Sequence, residues 1–241
     1  MTTSPSSPQR LYLMPVAFMP PPMNAPVVCY LVQTGDGKNI LIDSGLPENA
    51  PPPPPGMPEP IIKKHALEQL AMIGLQPGDI NMLVCTHFDM DHAGNHEAFT
   101  NAELIVQRQQ YEVARGGHQR FAHSREHWDH PALRYRLIDG DTELLPGLEL
   151  IETTGHAPGH QSVLVRLPET GPVLLAIDAV TRQADFRADR ETSRMDDDKE
   201  ATIASTRKLL AIAQREHVAL TIFGHDGEQW QTLKHAPEYY S

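Results

Sequence analysis

Thiols are scarce in this chain. Its 241 residues contain two cysteines, Cys29 and Cys85, each inside an apolar, strand-like run. A disulfide framework and a thiolate-based structural zinc site are thereby excluded, and two buried free thiols are expected. Basic residues are also few: 20 Lys and Arg against 31 Asp and Glu give a formal charge of −11 with histidine neutral. That balance disfavours nucleic acid and anionic membrane as partners, although bound metals would add local positive charge. No uninterrupted apolar run approaches the roughly 20 residues needed to cross a bilayer. The N-terminal MTTSPSSPQR lacks the basic start and apolar middle of a signal peptide, so a cytoplasmic protein is expected. Neither a repeat nor a mid-chain linker divides the sequence, which predicts one domain over 1–241.

Proline, by contrast, is abundant, and seven of the 22 fall within 51–60. That stretch can be neither helix nor central strand and is expected as an extended surface loop. Residues 27–34 and 39–42 predict a hairpin around Gly35-Asp36-Gly37. The spacing of Ile62, Ala66, Leu70 and Ile73 predicts a helix over 61–73, ended by Gly74. Then follow a strand at 82–86, a helix from about Asn95, a strand at 103–106 and a helix at 108–115. Further strands are expected near 134–138, 148–153, 162–167, 173–177 and 219–223, with a long helix over 199–215 between the last two. This order predicts an α/β architecture of sheets stacked face to face with helices outside.

Against this background one segment stands out. His87-Phe88-Asp89-Met90-Asp91-His92 places four donor side chains in six positions, directly after the apolar run 82–85. Side chains at such a strand end have a rigid base and still reach solvent. Three further pieces occupy the same kind of place. Thr154-Gly155-His156-Ala157-Pro158-Gly159-His160 follows the run 148–151, Asp178 ends 173–177, and Gly224-His225 ends 219–223. A sheet edge that gathers these ends brings together four histidines and three aspartates. Imidazole and carboxylate suit zinc, iron or manganese. Seven donors are too many for one tetrahedral ion and about right for two ions sharing a bridging carboxylate.

The ordered segments LYLMPV, VVCYLVQT with LIDSGLPE, THFDMDHAGN, FTNAELIVQR, LIDGDTELLPGLELIETTGHAPGHQSV, LLAIDA and FGHDGEQ run almost from end to end of the chain. In them the sequence resembles the metallo-β-lactamase superfamily and, within it, the N-acyl homoserine lactone lactonases that inactivate bacterial quorum signals. The resemblance implies an αββα four-layer sandwich with a two-metal site on one edge. Position by position, it implies His87, Asp89 and His156 on the first of two divalent metal ions, zinc before iron or manganese. Asp91, His92 and His225 fall on the second, and Asp178 bridges them. His160 is expected to support its loop, and His96 to begin a helix, without coordinating. A homodimer is compatible with the family, and the implied partner is a small-molecule lactone or ester.

The implied reaction is opening of the lactone ring by a metal-bridging hydroxide, with Asp91 carrying the proton to the leaving ring oxygen. Met19, Met23 and Met57 are candidates to line an acyl groove. Two departures bear on substrate. The family motif has histidine where this chain has Asp89, which makes the site one charge less positive, should raise the pKa of its water and favours harder metals. At Thr181 the lactonases place a tyrosine whose hydroxyl contacts the substrate carbonyl; threonine is shorter by a ring, and such a donor is typically worth a few kcal/mol. Another lactone, a carboxylic ester or a phosphoester is therefore the alternative substrate class. Finally, His118, His123, His127 and His130 flank Trp128 in a polar stretch that is expected to be a solvated helix, with a wall of the substrate pocket as the alternative, and not a further metal site.

Overall fold

The computed structural model describes residues 5–53 and 58–241. In strand β1 (Pro8–Met19), Leu11 and Leu13 point to one face while Tyr12, Met14 and Val16 point to the other, and all five are buried. A strand buried on both faces needs a packed layer on each side. β1 joins β2 (Ala25–Thr34), β3 (Asn39–Ile42), β4 (Ile61–Ile62), β5 (Met82–Val84), β6 (Glu103–Gln107) and β7 (Arg134–Ile138) in one sheet, ordered β4-β1-β2-β3-β5-β6-β7. The second sheet holds β8 (Thr142–Leu145), β9 (Leu148–Glu152), β10 (Gln161–Leu167), β11 (Gly171–Ile177) and β12 (Leu220–Phe223), ordered β12-β11-β10-β9-β8.

Three apolar layers separate four structural ones. Leu13, Tyr30, Ile42 and Val84 of the first sheet meet Leu150, Val163, Leu175 and Ile222 of the second. The outer face of the first sheet, with Met14, Leu31 and Leu83, is covered by α1 (Ala66–Met72), α2 (Met90–Ala93), α3 (Arg108–Arg115) and α4 (Arg125–Trp128) through Leu70, Ala93, Ala114 and Trp128. The outer face of the second packs Leu164 and Leu174 against Leu209 and Ile212 of α5 (Lys199–Arg215); α6 (Gly227–Trp230) follows β12. The result is the αββα sandwich.

Strand direction creates the functional edge. β3, β5, β6 and β7 run parallel. β9 and β11 are each antiparallel to β10, and β12 is parallel to β11, so β9, β11 and β12 share one direction. Gln161 joins the two sheets at this edge: its backbone N–H donates to the Thr86 carbonyl (3.1 Å) and its side-chain amide to the Cys85 carbonyl (2.7 Å). Cys29 and Cys85 are buried and free. Among the described residues no helix is long and apolar enough to cross a membrane.

Several elements differ from expectation. The helix expected over 61–73 begins only at Ala66, because Ile61 and Ile62 pair with β1 after the extended conformation that Pro60 imposes on its neighbour. The helix expected near Asn95 is a single tight turn at His96–Phe99, and α2 starts earlier, inside the metal motif. β1 and β8 were not expected as strands: the one is apolar on both faces and interrupted by Pro15, the other only four residues long. Of the loop at 51–60, positions 51–53 and 58–60 are irregular, and Met57 lies outside the described residues.

The stretch around Trp128 is not a solvated helix. Phe121 and Trp128 enter the core, where the indole stacks on Phe88 at 4.9 Å and donates to the Phe121 carbonyl at 3.1 Å. His127 is buried with Nδ1 2.9 Å from Glu97, while His118, His123 and His130 stay exposed. Phe121, ending a tight turn at Gln119–Phe121, and Trp128, ending α4, cover the motif from outside and draw this segment inward.

His96 begins its turn, as expected, and is fully buried; its Nδ1 shares a 2.8 Å hydrogen bond with Ser44 Oγ. Burial pushes its pKa down to about 4 from the ordinary 6.5. The unfolded chain then binds a proton between these values that the folded chain does not, so stability is complete above pH 6.5 and falls toward pH 4. Relative to His96→Asn, the wild type should lose roughly 3 kcal/mol over that window, read from urea unfolding at several pH values. Parallel stability curves for the two proteins would contradict the assignment.

Candidate metal centre

The seven donors come to one edge because four strands end there. β5 leads into His87, Asp89 occupies the N-cap position of α2, and Asp91 and His92 lie in its short body. His156 follows β9, Asp178 follows β11 and His225 follows β12. Before Asp178 the chain turns sharply: Ile177 has φ +52°, an uncommon conformation for a β-branched residue. Opposite it, a Cβ on Gly224 would lie 2.4 Å from Asp178 Oδ1 and 2.6 Å from the Ile177 carbonyl oxygen. Only glycine lets β12 approach closely enough to deliver His225 beside Asp178.

Asp178 Oδ2 is the common point. It lies 3.0 Å from His225 Nε2, 3.3 Å from His156 Nε2, 3.6 Å from His92 Nε2 and 3.9 Å from His87 Nε2. On one side Asp89 Oδ2 is 3.4 Å from His87 Nε2 and 3.6 Å from His156 Nε2. On the other, Asp91 Oδ2 is 3.7 Å from both His92 Nε2 and His225 Nε2. Each triad, His87–Asp89–His156 and Asp91–His92–His225, has its donor atoms within 4.8 Å of one another.

Each imidazole is held so that Nε2 faces inward. His87 Nδ1 meets Thr86 Oγ1 (3.1 Å), His92 Nδ1 meets Asp43 Oδ2 (2.8 Å), His156 Nδ1 meets Asp196 Oδ1 (3.2 Å), and His225 Nδ1 meets the Pro26 carbonyl (2.7 Å). Thr86 Oγ1 itself donates to Asp43 Oδ2 at 2.7 Å, which leaves it an acceptor for His87. Tautomers assigned from this network carry the proton on Nδ1 and turn each Nε2 lone pair inward, that of His156 toward Arg120 Nη2 at 2.7 Å.

Charge in the centre calls for such a cation. Burial works against the charged form of His92, yet Asp91, Asp178 and Asp43 hold its pKa well above the usual range. Burial likewise opposes protonation of His156, but Asp196 and Asp89 raise its pKa to about 9. For Asp178, burial disfavours the carboxylate, and His225 and His92 overcome that to keep its pKa well below the usual range. His87 is lowered, chiefly by its complete burial. His87 Nε2, His92 Nε2 and Asp178 Oδ1 are buried without a hydrogen-bond partner among the described residues. Orphaned, inward-facing nitrogens and a carboxylate surrounded by imidazoles fit two divalent ions bound through nitrogen and oxygen.

Two other expected residues sit beside the cluster. His160 Nδ1 meets Thr153 Oγ1 at 2.9 Å, and its Nε2 accepts from the Asp178 N–H at 3.2 Å, so it braces two loops. The Thr181 carbonyl accepts the His225 N–H at 2.9 Å, and its side chain is half-buried. Three residues went unnoticed in the sequence. Asp43 carries the same signal as the donors, an aspartate directly after a strand, and was visible in LIDSG. Asp196 and Arg120 have no local signal. Arg120 pairs with Asp89 through Nε–Oδ1 (2.8 Å) and Nη2–Oδ2 (2.7 Å). Its guanidinium returns the positive charge that Asp89 removes, so the centre is not the less positive one expected from the motif alone.

Comparison with known proteins agrees with this geometry. The family model described as the metallo-beta-lactamase superfamily matches residues 24–225. An N-acyl homoserine lactonase of Bacillus sp is 35% identical over 230 residues, covering 90% of this chain and 88% of that protein. The N-acyl homoserine lactonase AttM of Rhizobium radiobacter is 33% identical over 237 residues, with 90% and 88% covered. Among solved structures, an N-acyl homoserine lactone hydrolase with the product N-hexanoyl-L-homoserine at its catalytic metal centre superposes with a TM-score of 0.84. It is 30% identical, over 97% of this chain and all of that one. With its sandwich, its two donor triads around Asp178 and this coverage, the chain belongs to the metallo-beta-lactamase superfamily and, within it, to the N-acyl homoserine lactonases.

Proposed function

We propose that this protein is a metal-dependent hydrolase that opens the lactone ring of N-acyl homoserine lactones. The observation that carries the reading is the pair of donor triads sharing Asp178, in a chain 35% identical to an N-acyl homoserine lactonase over 90% of its length. His87, Asp89 and His156 would hold one divalent ion, Asp91, His92 and His225 the other, with Asp178 between them. Bound there, such ions supply Lewis acidity toward a carbonyl oxygen and a water ionised near neutral pH.

The chain's own groups divide the remaining work. Side-chain exposure rises from 5% at Asp178 through 17% at Asp89 to 31% at Asp91. Asp178 is thereby sealed behind the imidazoles as a fixed anchor. Asp91 reaches the solvent side of the cluster, where it can take a proton from the attacking water and hand it to the ring oxygen as the acyl–oxygen bond breaks. The turn after β1 and the start of β2 border the same edge: the Pro26 carbonyl of β2 holds His225, and Arg182 donates to the Met23 carbonyl of the turn at 2.8 Å. Met19 and Met23, both half-buried at this turn, are placed to offer adaptable apolar surface to an acyl chain. Thr181, three residues beyond Asp178, would face the lactone carbonyl with a shorter hydroxyl than the family's tyrosine.

Exhaustive chelation should abolish ring opening of a long-chain acyl homoserine lactone, and zinc or manganese should restore it, followed by pH-stat titration of the acid released. Turnover that survives complete metal removal would refute the assignment. Thr181→Tyr should raise kcat/KM for the same substrate by about tenfold to hundredfold. An unchanged value would mean that another group already contacts the carbonyl, and a preference for simple esters or phosphoesters in the wild type would move the substrate class.

A further inference from the structure

The two triads are chemically unequal, and the difference is Arg120. Its Nη2 lies 2.7 Å from Asp89 Oδ2 and 2.7 Å from His156 Nε2, so one NH2 group touches two of the three donors of the first triad. Nε adds a second contact to Asp89, at Oδ1. Nη1 is anchored behind by the Met195 carbonyl (2.7 Å) and Asp197 Oδ1 (3.1 Å), and the side chain is 13% exposed. This is a fixed, partly desolvated cation, not a mobile surface arginine. Among the described residues nothing equivalent faces the other triad: no lysine or arginine forms an ion pair with Asp91 or Asp178.

We infer that Arg120 is a resident cation of the first position, which makes the centre load in order: the Asp91–His92–His225 position binds a divalent ion tightly, and the His87–Asp89–His156 position binds the next one weakly. This rests on the reading of the triads as metal sites. Occupying the first position requires Nη2 to leave His156 Nε2 and to give up its share of Asp89 Oδ2. The guanidinium need not leave altogether, since Nε can keep Asp89 Oδ1 and Nη1 its two anchors. A divalent ion there still meets a unit positive charge across a single carboxylate, and that repulsion is weakly screened at a buried site. The same pairing explains how aspartate serves where the family motif has histidine. A histidine at this position would set an imidazole against a guanidinium with no charge to balance it, so Asp89 and Arg120 form one unit.

A purely supporting role for Arg120, orienting Asp89 toward a metal, predicts the opposite sign on removal, so one titration separates the two. The metal-stripped full-length protein is titrated with zinc against a chromophoric chelator, which reads the number of ions and both dissociation constants without any turnover. The wild type should bind two zinc ions, the second at least about tenfold more weakly. Arg120→Gln should tighten the weak equivalent by about tenfold or more and leave the tight one unchanged, which also reports an intact fold. Arg120→Lys, which keeps the charge without the fork, should stay near the wild type. Asp89→His should lose the weak equivalent, and Asp89→His combined with Arg120→Gln should regain it. Equal affinities in the wild type, or loosening of the weak equivalent in Arg120→Gln, would overturn the inference while leaving the metal centre standing. Failure to bind any zinc would remove the centre and the inference together.

Discussion

Asp178 Oδ2 lies between 3.0 and 3.9 Å from the Nε2 atoms of all four imidazoles of the centre, and most of the fold is arranged to keep it there. Its place depends on a left-handed isoleucine before it, on a glycine across from it and on His160 beneath its backbone N–H. A carboxylate buried to this degree is strongly disfavoured unless positive charge surrounds it. In the chain alone His92 and His225 supply that charge by taking up protons; with divalent ions in place, metal would supply it and the protons would leave. Binding of metal and release of protons are thus two descriptions of one charge balance.

That balance explains why the centre sits where two sheets meet. A single sheet edge could offer the donors after β5 or those after β9, β11 and β12, but not both sets. Gln161 joins them, with its backbone and side chain bonded to the carbonyls of Thr86 and Cys85, the two residues before His87. Binding energy for a metal at this site is therefore also binding energy between the sheets.

Much of this was legible in the sequence. Each donor follows an apolar, β-favouring run, and strands buried on both faces read as continuous apolar segments, which is why β5, β10 and β11 were anticipated within a residue or two. The same cue hid β1, where burial on both faces combined with an internal proline removed every alternation. The motif gave the donors but not their supports. Asp43 was readable, since it ends β3 as the others end their strands. Arg120 was not, because it lies 31 residues from Asp89 and only the packing of Phe121 and Trp128 on Phe88 brings its segment over the motif. Charge reasoning from the motif alone consequently missed the guanidinium that balances Asp89. A substitution at a metal position is intelligible only with the partner it faces, and that partner is fixed by tertiary structure.

The account's central claim is that two divalent ions share Asp178. It is tested most directly by crystallising the protein with zinc and recording anomalous diffraction above and below the zinc absorption edge. Two anomalous peaks are predicted on opposite sides of Asp178, one among Asp91, His92 and His225, the other among His87, Asp89 and His156. A single peak with the Arg120 guanidinium in the other position even at saturating zinc, or zinc bound elsewhere on the molecule, would contradict it.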